Sequence, residues 1–186
     1  MDSNLFSGLE KFGVGDISST DLFQTEKNDN DKNEEGVEVP PEPTPEEKEL
    51  EMLLDKSHTC PVCDNSFKNK TVRTGKARLT GIDLDLRQNF EDIEPLKYDV
   101  ISCPKCGFSA VSRFFVPLTP VSRKNVKEKI GANFKPQEEP AGIYSYEQAI
   151  QRYKLALAND MVRNAKASEK AYTCLRAAWL CRNYKE

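Results

Sequence analysis

The sequence predicts an α+β protein: a small module of β-strands and turns, then a hairpin of two α-helices, preceded by a disordered acidic arm. Four cysteines, in two C-P-x-C motifs, lie in a stretch with β-branched and aromatic residues, which is typical of short strands joined by turns. Over 145–159 and about 163–184, apolar residues recur at helical spacing without glycine or proline. Residues 24–45 contain almost no apolar side chain.

The predicted arm covers residues 1–45. Residues 1–50 carry 14 acidic and 4 basic side chains, although the net charge of the whole chain is only −3. Such a segment buries too little apolar surface to offset the entropy lost on ordering, so we expect it to be mostly disordered. Leu5, Phe6 and Leu9 lie at helical spacing and predict a short amphipathic motif, which would dock on a partner or cover exposed helices.

Three segments follow the arm: a β-rich module over 46–120, a connector over 121–144 and a helical segment over 145–186. Thr44 and Pro45 are suited to the N-cap and the first position of a helix, which we expect over Glu46–Lys56. Strands are predicted from β-branched and aromatic content at Thr71–Leu79, Tyr98–Ile101 and Phe108–Val116.

The two cysteine motifs, Cys60-Pro-Val-Cys63 and Cys103-Pro-Lys-Cys106, predict one structural zinc ion. A C-x-x-C turn offers two thiolates to one metal, and two turns supply the four sulfurs of a closed tetrahedral shell. Gly107 can take the positive φ that such a turn often needs. The 39 residues between Cys63 and Cys103 exceed the ~15–20 usual between zinc pairs, so we expect an elaborated, zinc-ribbon-like module.

Other uses of these cysteines are less favoured. No βαβ pattern surrounds either motif, as a redox dithiol would require. Rubredoxin-like iron uses the same ligands, but Asp64 stands where such a site usually has glycine. Neither a signal peptide nor an apolar run of ~18 residues is found, so we expect a cytoplasmic protein with reduced thiols and no membrane partner.

The sequence does not favour an enzyme. His58 is the only histidine and would be surplus to four thiolates, so it cannot complete a convincing nucleophile system. Neither a G-x-x-x-x-G-K-[ST] nor a G-x-G-x-x-G motif occurs, so a phosphate-binding loop is not indicated.

A basic run follows the first motif and supports an alternative function, nucleic-acid binding. It consists of Lys68, Lys70, Arg73, Lys76 and Arg78. Such residues can contact phosphates, as in zinc ribbons that bind nucleic acid, or can simply solvate a strand edge. Several acidic residues over 83–94 would offset the positive field.

The C-terminal helices predict a protein-binding surface. Ala149 and Tyr153 match the second-helix pattern of a tetratricopeptide repeat, but Met161 stands near the usual closing proline, and a plain helical hairpin is the alternative. The candidate partner-binding residues are Tyr153, Leu157, Tyr172, Leu175 and Trp179. Since the sequence ends directly after this apolar helix, we expect a truncated chain, self-association or a partner that covers it.

These residues resemble the bacterial domain-of-unknown-function family 2225. The resemblance rests on the two cysteine motifs, on Pro95-Leu-Lys-Tyr-Asp-Val before the second motif and on Ala178-Trp-Leu near the C-terminus. It also includes the opening Leu5-Phe-Ser-Gly-Leu-Glu-Lys-Phe12. It implies a cytoplasmic zinc-ribbon module joined to tetratricopeptide-like helices, with further helices following in longer members. It implies no known activity.

Together these features predict a non-enzymatic zinc-binding adaptor with a protein or peptide partner. Self-association is a further possibility to be tested, and nucleic-acid binding through the basic run is the alternative.

Overall fold

The computed structural model describes residues 43–136 and 140–185, which belong to one compact unit, Glu42–Glu186. The α+β class is confirmed, because antiparallel strand pairs combine with helices and the last two helices form a hairpin. The disorder predicted for residues 1–45 and the motif around Leu5 fall outside the described residues, except at positions 43–45. The boundaries predicted at residues 45, 120 and 144 stay predictions.

Helix α1 (Pro45–Glu51) begins where the sequence predicts. Thr44 is its N-cap, and a capping box joins Thr44 to Glu47. The predicted extension to Lys56 is wrong, because strand β1 (Leu53–Thr59) starts two residues after the helix. Most side chains of β1 are exposed, so its conformation depends on pairing with a distant strand that no local pattern reveals.

The first strand pair joins β1 to β2 (Ser66–Val72), antiparallel from Leu53↔Val72 to Thr59↔Ser66. The strand predicted over Thr71–Leu79 is wrong as one element. It is interrupted by a turn at Gly75, whose φ is +80°. The next strand, β3 (Arg78–Ile82), begins after that turn and pairs with β4 (Gln88–Glu91).

The third pair consists of β5 (Val100–Ser102) and β6 (Ser109–Val111). Both strands are shorter than predicted, because 3-10 turns occupy Pro95–Tyr98 before β5 and Ser112–Phe114 after β6. Both strands are largely buried, since helices cover them.

Helix α2 (Pro120–Val126) and the π-helical turn Lys127–Gly131 occupy the predicted connector. Helices α3 (Tyr146–Val162) and α4 (Ala167–Lys185) follow and form the C-terminal hairpin. A capping box between Ser145 and Gln148 starts α3. Among the described residues, every helix is too short or too polar to span a lipid bilayer.

The helical hairpin packs on β5 and β6 rather than standing alone. Tyr153 and Ala156 of α3 share one apolar cluster with Val100 of β5, Val111 of β6 and Leu180 of α4. In this cluster the strands β5 and β6 cover one side of the contact between α3 and α4.

The β3–β4 hairpin is held against α4 by polar contacts. Arg182 forms ion pairs with Asp83 (2.7 Å) and Asp85 (3.0 Å), and the indole Nε1 of Trp179 donates to Asp85 (2.8 Å). This insertion accounts for much of the long spacing between the cysteine motifs.

Candidate metal centre

The first cysteine motif forms the turn between β1 and β2. The Cys60 N–H donates to the Asn65 carbonyl (2.9 Å), and the Asp64 N–H donates to the Cys60 carbonyl (3.0 Å). The Val62 N–H lies 3.4 Å from the Cys60 Sγ and donates to it. Asp64 has φ +56°, a left-handed conformation that aspartate tolerates better than most residues.

The second motif repeats this turn between β5 and β6. The Cys103 N–H donates to the Phe108 carbonyl (2.8 Å), and the Gly107 N–H donates to the Cys103 carbonyl (3.0 Å). Gly107, at φ +71°, occupies the position of Asp64 in the first turn. A Cβ atom at Gly107 would overlap the ring of Phe134, so this position needs glycine for space as well as for conformation.

The two turns bring all four predicted ligands together. The Sγ atoms of Cys60, Cys63, Cys103 and Cys106 lie within 4.8 Å of one another. Two short Sγ–Sγ distances link the two motifs: 3.5 Å between Cys60 and Cys106, and 3.6 Å between Cys63 and Cys103. A tetrahedron of ~2.3 Å metal–sulfur bonds has edges of about 3.8 Å, so the group could hold one metal ion with little adjustment.

The site is sealed by apolar packing. Cys60 and Cys103 are fully buried and Cys106 nearly so, whereas Cys63 is half-buried. Val62, Phe108, Ala110 and Val126 pack in the same cluster, so that β6 and α2 both line the site. Four sulfur donors in such a setting suit a soft or borderline metal.

The thiols shift one another's pKa. Hydrogen bonding to Cys103, with burial, raises the pKa of Cys60 to about 12, and hydrogen bonding to Cys103 also raises the pKa of Cys106. Hydrogen bonds from Cys106 and Cys60 lower the pKa of Cys103 to about 2. A bound metal cation would favour the ionised form of the four cysteines, because it attracts the negative charge of a thiolate.

Two residues that the sequence analysis did not single out brace the turns. The Asn159 amide donates to the Gly107 carbonyl (3.0 Å) and ties α3 to the second turn. Arg123 of α2 donates to the Val62 carbonyl (2.9 Å) and pairs with Asp64 at the first turn. In the sequence, Asn159 follows Ala156 by three positions, on the buried face of α3. A polar residue at that spacing is a signal that could have indicated a buried polar contact.

The other thiols and the histidine are outside the cysteine group. The His58 ring packs against Phe67 and Phe115, with ring centroids 6.0 and 5.7 Å away. Burial lowers its pKa, with a smaller effect from Lys56. Cys174 and Cys181 lie on α4, the first exposed and the second half-buried.

The residues of the basic run differ in exposure and in their contacts, and nucleic-acid binding through them stays a prediction. Lys70 is buried, and its Nζ lies 3.5 Å from a carboxylate oxygen of Asp55. The Arg78 guanidinium lies 3.5 Å from a carboxylate oxygen of Glu91. The Arg73 side chain donates to the Leu53 carbonyl (2.8 Å). Lys68 and Lys76 are exposed, on β2 and in the following turn.

The predicted partner-binding residues are mostly covered. Tyr153 is 1% exposed and belongs to the core, so its side chain is not accessible to a partner in this structure. Tyr172 and Trp179 pack partly into the same cluster, and Leu157 is half-buried. Leu175 is the most exposed of the five, at 44%. Residues of β5 and β6 pack against one side of the two helices, and partner binding by the five residues stays a prediction.

The fold and site define a class: an α+β chain with a group of four cysteine sulfurs at the junction of two β-hairpins. The chain belongs to the family described as uncharacterized protein conserved in bacteria (DUF2225), whose model matches residues 53–186. A protein of Borreliella burgdorferi, itself described as uncharacterized, is 26% identical over 155 residues. The match covers 71% of this chain and 53% of that relative, so the chain spans about half of the relative's length. No solved structure matches the chain.

Proposed function

We propose that this chain is a non-enzymatic, zinc-stabilised protein-interaction module. The observation that carries the proposal is the convergence of four cysteine sulfurs within 4.8 Å, largely sealed from solvent. Four thiolates complete the preferred shell of zinc and leave no coordination site for water or substrate, so the metal would have a structural role.

Zinc would join parts of the chain that are distant in sequence. The β1–β2 and β5–β6 hairpins each contribute two sulfurs, while α2 and α3 reach the turns through Arg123 and Asn159. Loss of the ion would release a loop of about 40 residues and leave four cysteine sulfurs without the metal that they coordinate. Zinc binding and folding would therefore be coupled.

Nucleic-acid binding is the alternative, and the contacts of the basic run weigh against it. Two of its five residues are in ion pairs and a third is bound to a backbone carbonyl. A binder that relies on phosphate contacts loses affinity steeply as salt rises. Titration of a single-stranded and a duplex oligonucleotide at two salt concentrations would expose such a function.

The experiment that tests the proposal compares partner capture by three preparations of the whole chain, each purified in the presence of zinc. Wild type and Cys174→Ser should capture the same proteins from an extract of the source organism, because Cys174 is exposed and outside the group. Cys103→Ser should lose both the metal and the captured proteins. Equal capture by Cys103→Ser, or turnover of a substrate by the wild type alone, would contradict the proposal.

A further inference from the structure

The β3–β4 hairpin ends in a turn with an unusual choice of residues. The Asp83 N–H donates to the Arg87 carbonyl (2.8 Å), and the Leu86 N–H donates to the Asp83 carbonyl (2.9 Å). These bonds close a three-residue loop of Leu84, Asp85 and Leu86. The last position of such loops is left-handed and usually held by glycine. Here it is Leu86, with φ +67°, which costs free energy that glycine would not.

The aliphatic side chains of this turn are exposed. Leu84 is fully exposed, Leu86 is 76% exposed and Ile82 is 59% exposed. We call these three residues the apolar tip. Ile82 and Leu84 also line an open cavity that reaches Arg182 on α4. The fold buries little of these three residues, yet it accommodates a strained leucine among them.

Ion pairs fix the turn that carries the apolar tip. Its charged neighbours form ion pairs. Asp83 and Asp85 pair with Arg182, and the Arg87 guanidinium lies 3.5 Å from the Asp83 carboxylate and 3.6 Å from the Glu94 carboxylate. A fixed apolar surface loses less entropy on binding than a flexible one does. The tip is therefore preorganised for contact.

Area and charge restrict what can cover the apolar tip. Three aliphatic side chains expose a few hundred Å2 at most, which is well below the ~800 Å2 per partner of a stable dimer interface. The surrounding carboxylates and guanidinium groups are paired with one another, so they offer no net positive field for anionic lipid or nucleic acid. A short, uncharged apolar segment fits both restrictions.

We infer that the apolar tip is a docking site for a short segment of another protein that presents aliphatic side chains on one face. The inference rests on the proposed interaction function and names the surface and the kind of partner. It places recognition on the β3–β4 insertion rather than on the helical seam predicted from the sequence.

The test pans a displayed library of random 15-residue peptides against the whole zinc-loaded chain. Synthetic copies of the enriched peptides are then titrated into wild type, Leu84→Asp, Leu86→Gly and Val121→Asp. Val121, 69% exposed on α2, is the matched control for a distant exposed aliphatic residue. We expect aliphatic residues at regular spacing in the enriched peptides. Leu84→Asp and Leu86→Gly should raise the Kd at least tenfold, and Val121→Asp should leave it unchanged.

Leu86→Gly also separates binding from stability. Glycine relieves the strained φ, so the thermal midpoint of this variant should equal or exceed that of wild type while peptide binding is lost. A lowered midpoint would mean that Leu86 supports the fold, and it would overturn the inference.

The remaining outcomes distinguish the inference from the proposal beneath it. Enriched peptides that bind all four proteins equally would show that the apolar tip is not their docking site, and would leave the proposed interaction function standing. A library that yields no enriched peptide would overturn both. A wild-type dimer that Leu84→Asp dissociates in sedimentation would instead assign the tip to a second copy. Leu84-dependent co-sedimentation with vesicles of phosphatidylcholine and phosphatidylglycerol would assign it to lipid.

Discussion

Asp64 and Gly107 occupy equivalent positions in two nearly identical turns, but they meet different demands. Both have positive φ. Asp64 is exposed and pairs with Arg123, whereas Gly107 faces the ring of Phe134. An aspartate in place of glycine weighed against iron in the sequence analysis. The structure shows that the backbone of the turn is the same with either residue, so this difference does not discriminate between metals.

We predict that Gly107→Ala destabilises the protein far more than Gly75→Ala. Both glycines have positive φ, so each substitution adds backbone strain of roughly 1–2 kcal/mol. Only at Gly107 does the new Cβ also meet a ring, which adds about 1–3 kcal/mol of overpacking. Denaturant unfolding of both variants measures the difference. Equal losses would show that Phe134 moves aside freely.

The thiol pKa values predict a steep pH dependence of metal affinity. Cys60 and Cys106 have raised pKa values, so both are protonated near neutral pH in the metal-free protein and must release protons when a metal binds. At least two protons are displaced, and each contributes a factor of ten, so the apparent affinity should fall by about 100-fold or more for each pH unit lowered. Competition with a chromophoric chelator between pH 6 and pH 8 checks this slope. A slope below tenfold per unit would mean that the thiols are already ionised.

At the scale of elements, the sequence predicted best what local chemistry determines. Thr44 and Pro45 place the start of α1, and the apolar spacing of 145–159 places α3 to within a few residues. The end of α1 and strand β1 were missed, because β1 is mostly exposed and exists by pairing with β2. Long-range pairing has no periodic signature in a strand with little burial.

The site divides in the same way. Its four sulfurs follow from two C-P-x-C motifs, since ligand spacing is local. The braces from Arg123 and Asn159 connect residues 61 and 52 positions apart, and only the fold reveals them. The burial of Tyr153 could not be predicted for the same reason: helical periodicity identifies an apolar face but not what covers it.

The covered seam predicts a large difference between two leucines of α4. Leu180 is fully buried against α3 and the strands, whereas Leu175 is 44% exposed. We expect Leu180→Ala to cost about 2–5 kcal/mol through lost burial and a cavity. Leu175→Ala, the matched control on the same helix, should stay within about 0.5–1 kcal/mol. Chemical denaturation of both variants measures the two losses in free energy of unfolding. Similar losses would mean that Leu180 is less buried between α3, α4 and the strands than the structure shows.

At the scale of the whole molecule, the cysteine group is where the separate elements meet. Two hairpins supply the sulfurs, α2 and α3 contact the turns, and the β3–β4 insertion occupies the sequence between the motifs. The structure holds several small clusters rather than one large core. Such a chain gains much from a metal that ties distant segments together.

The most direct test of the central claim is the metal content of the purified chain, measured by mass spectrometry and normalised to protein. The account predicts one zinc per chain in the wild type and in Cys174→Ser, and none in Cys103→Ser, whose β-hairpins should also lose their cooperative unfolding. Iron in place of zinc would contradict the metal assignment. Full zinc occupancy with wild-type stability in Cys103→Ser would contradict the site itself.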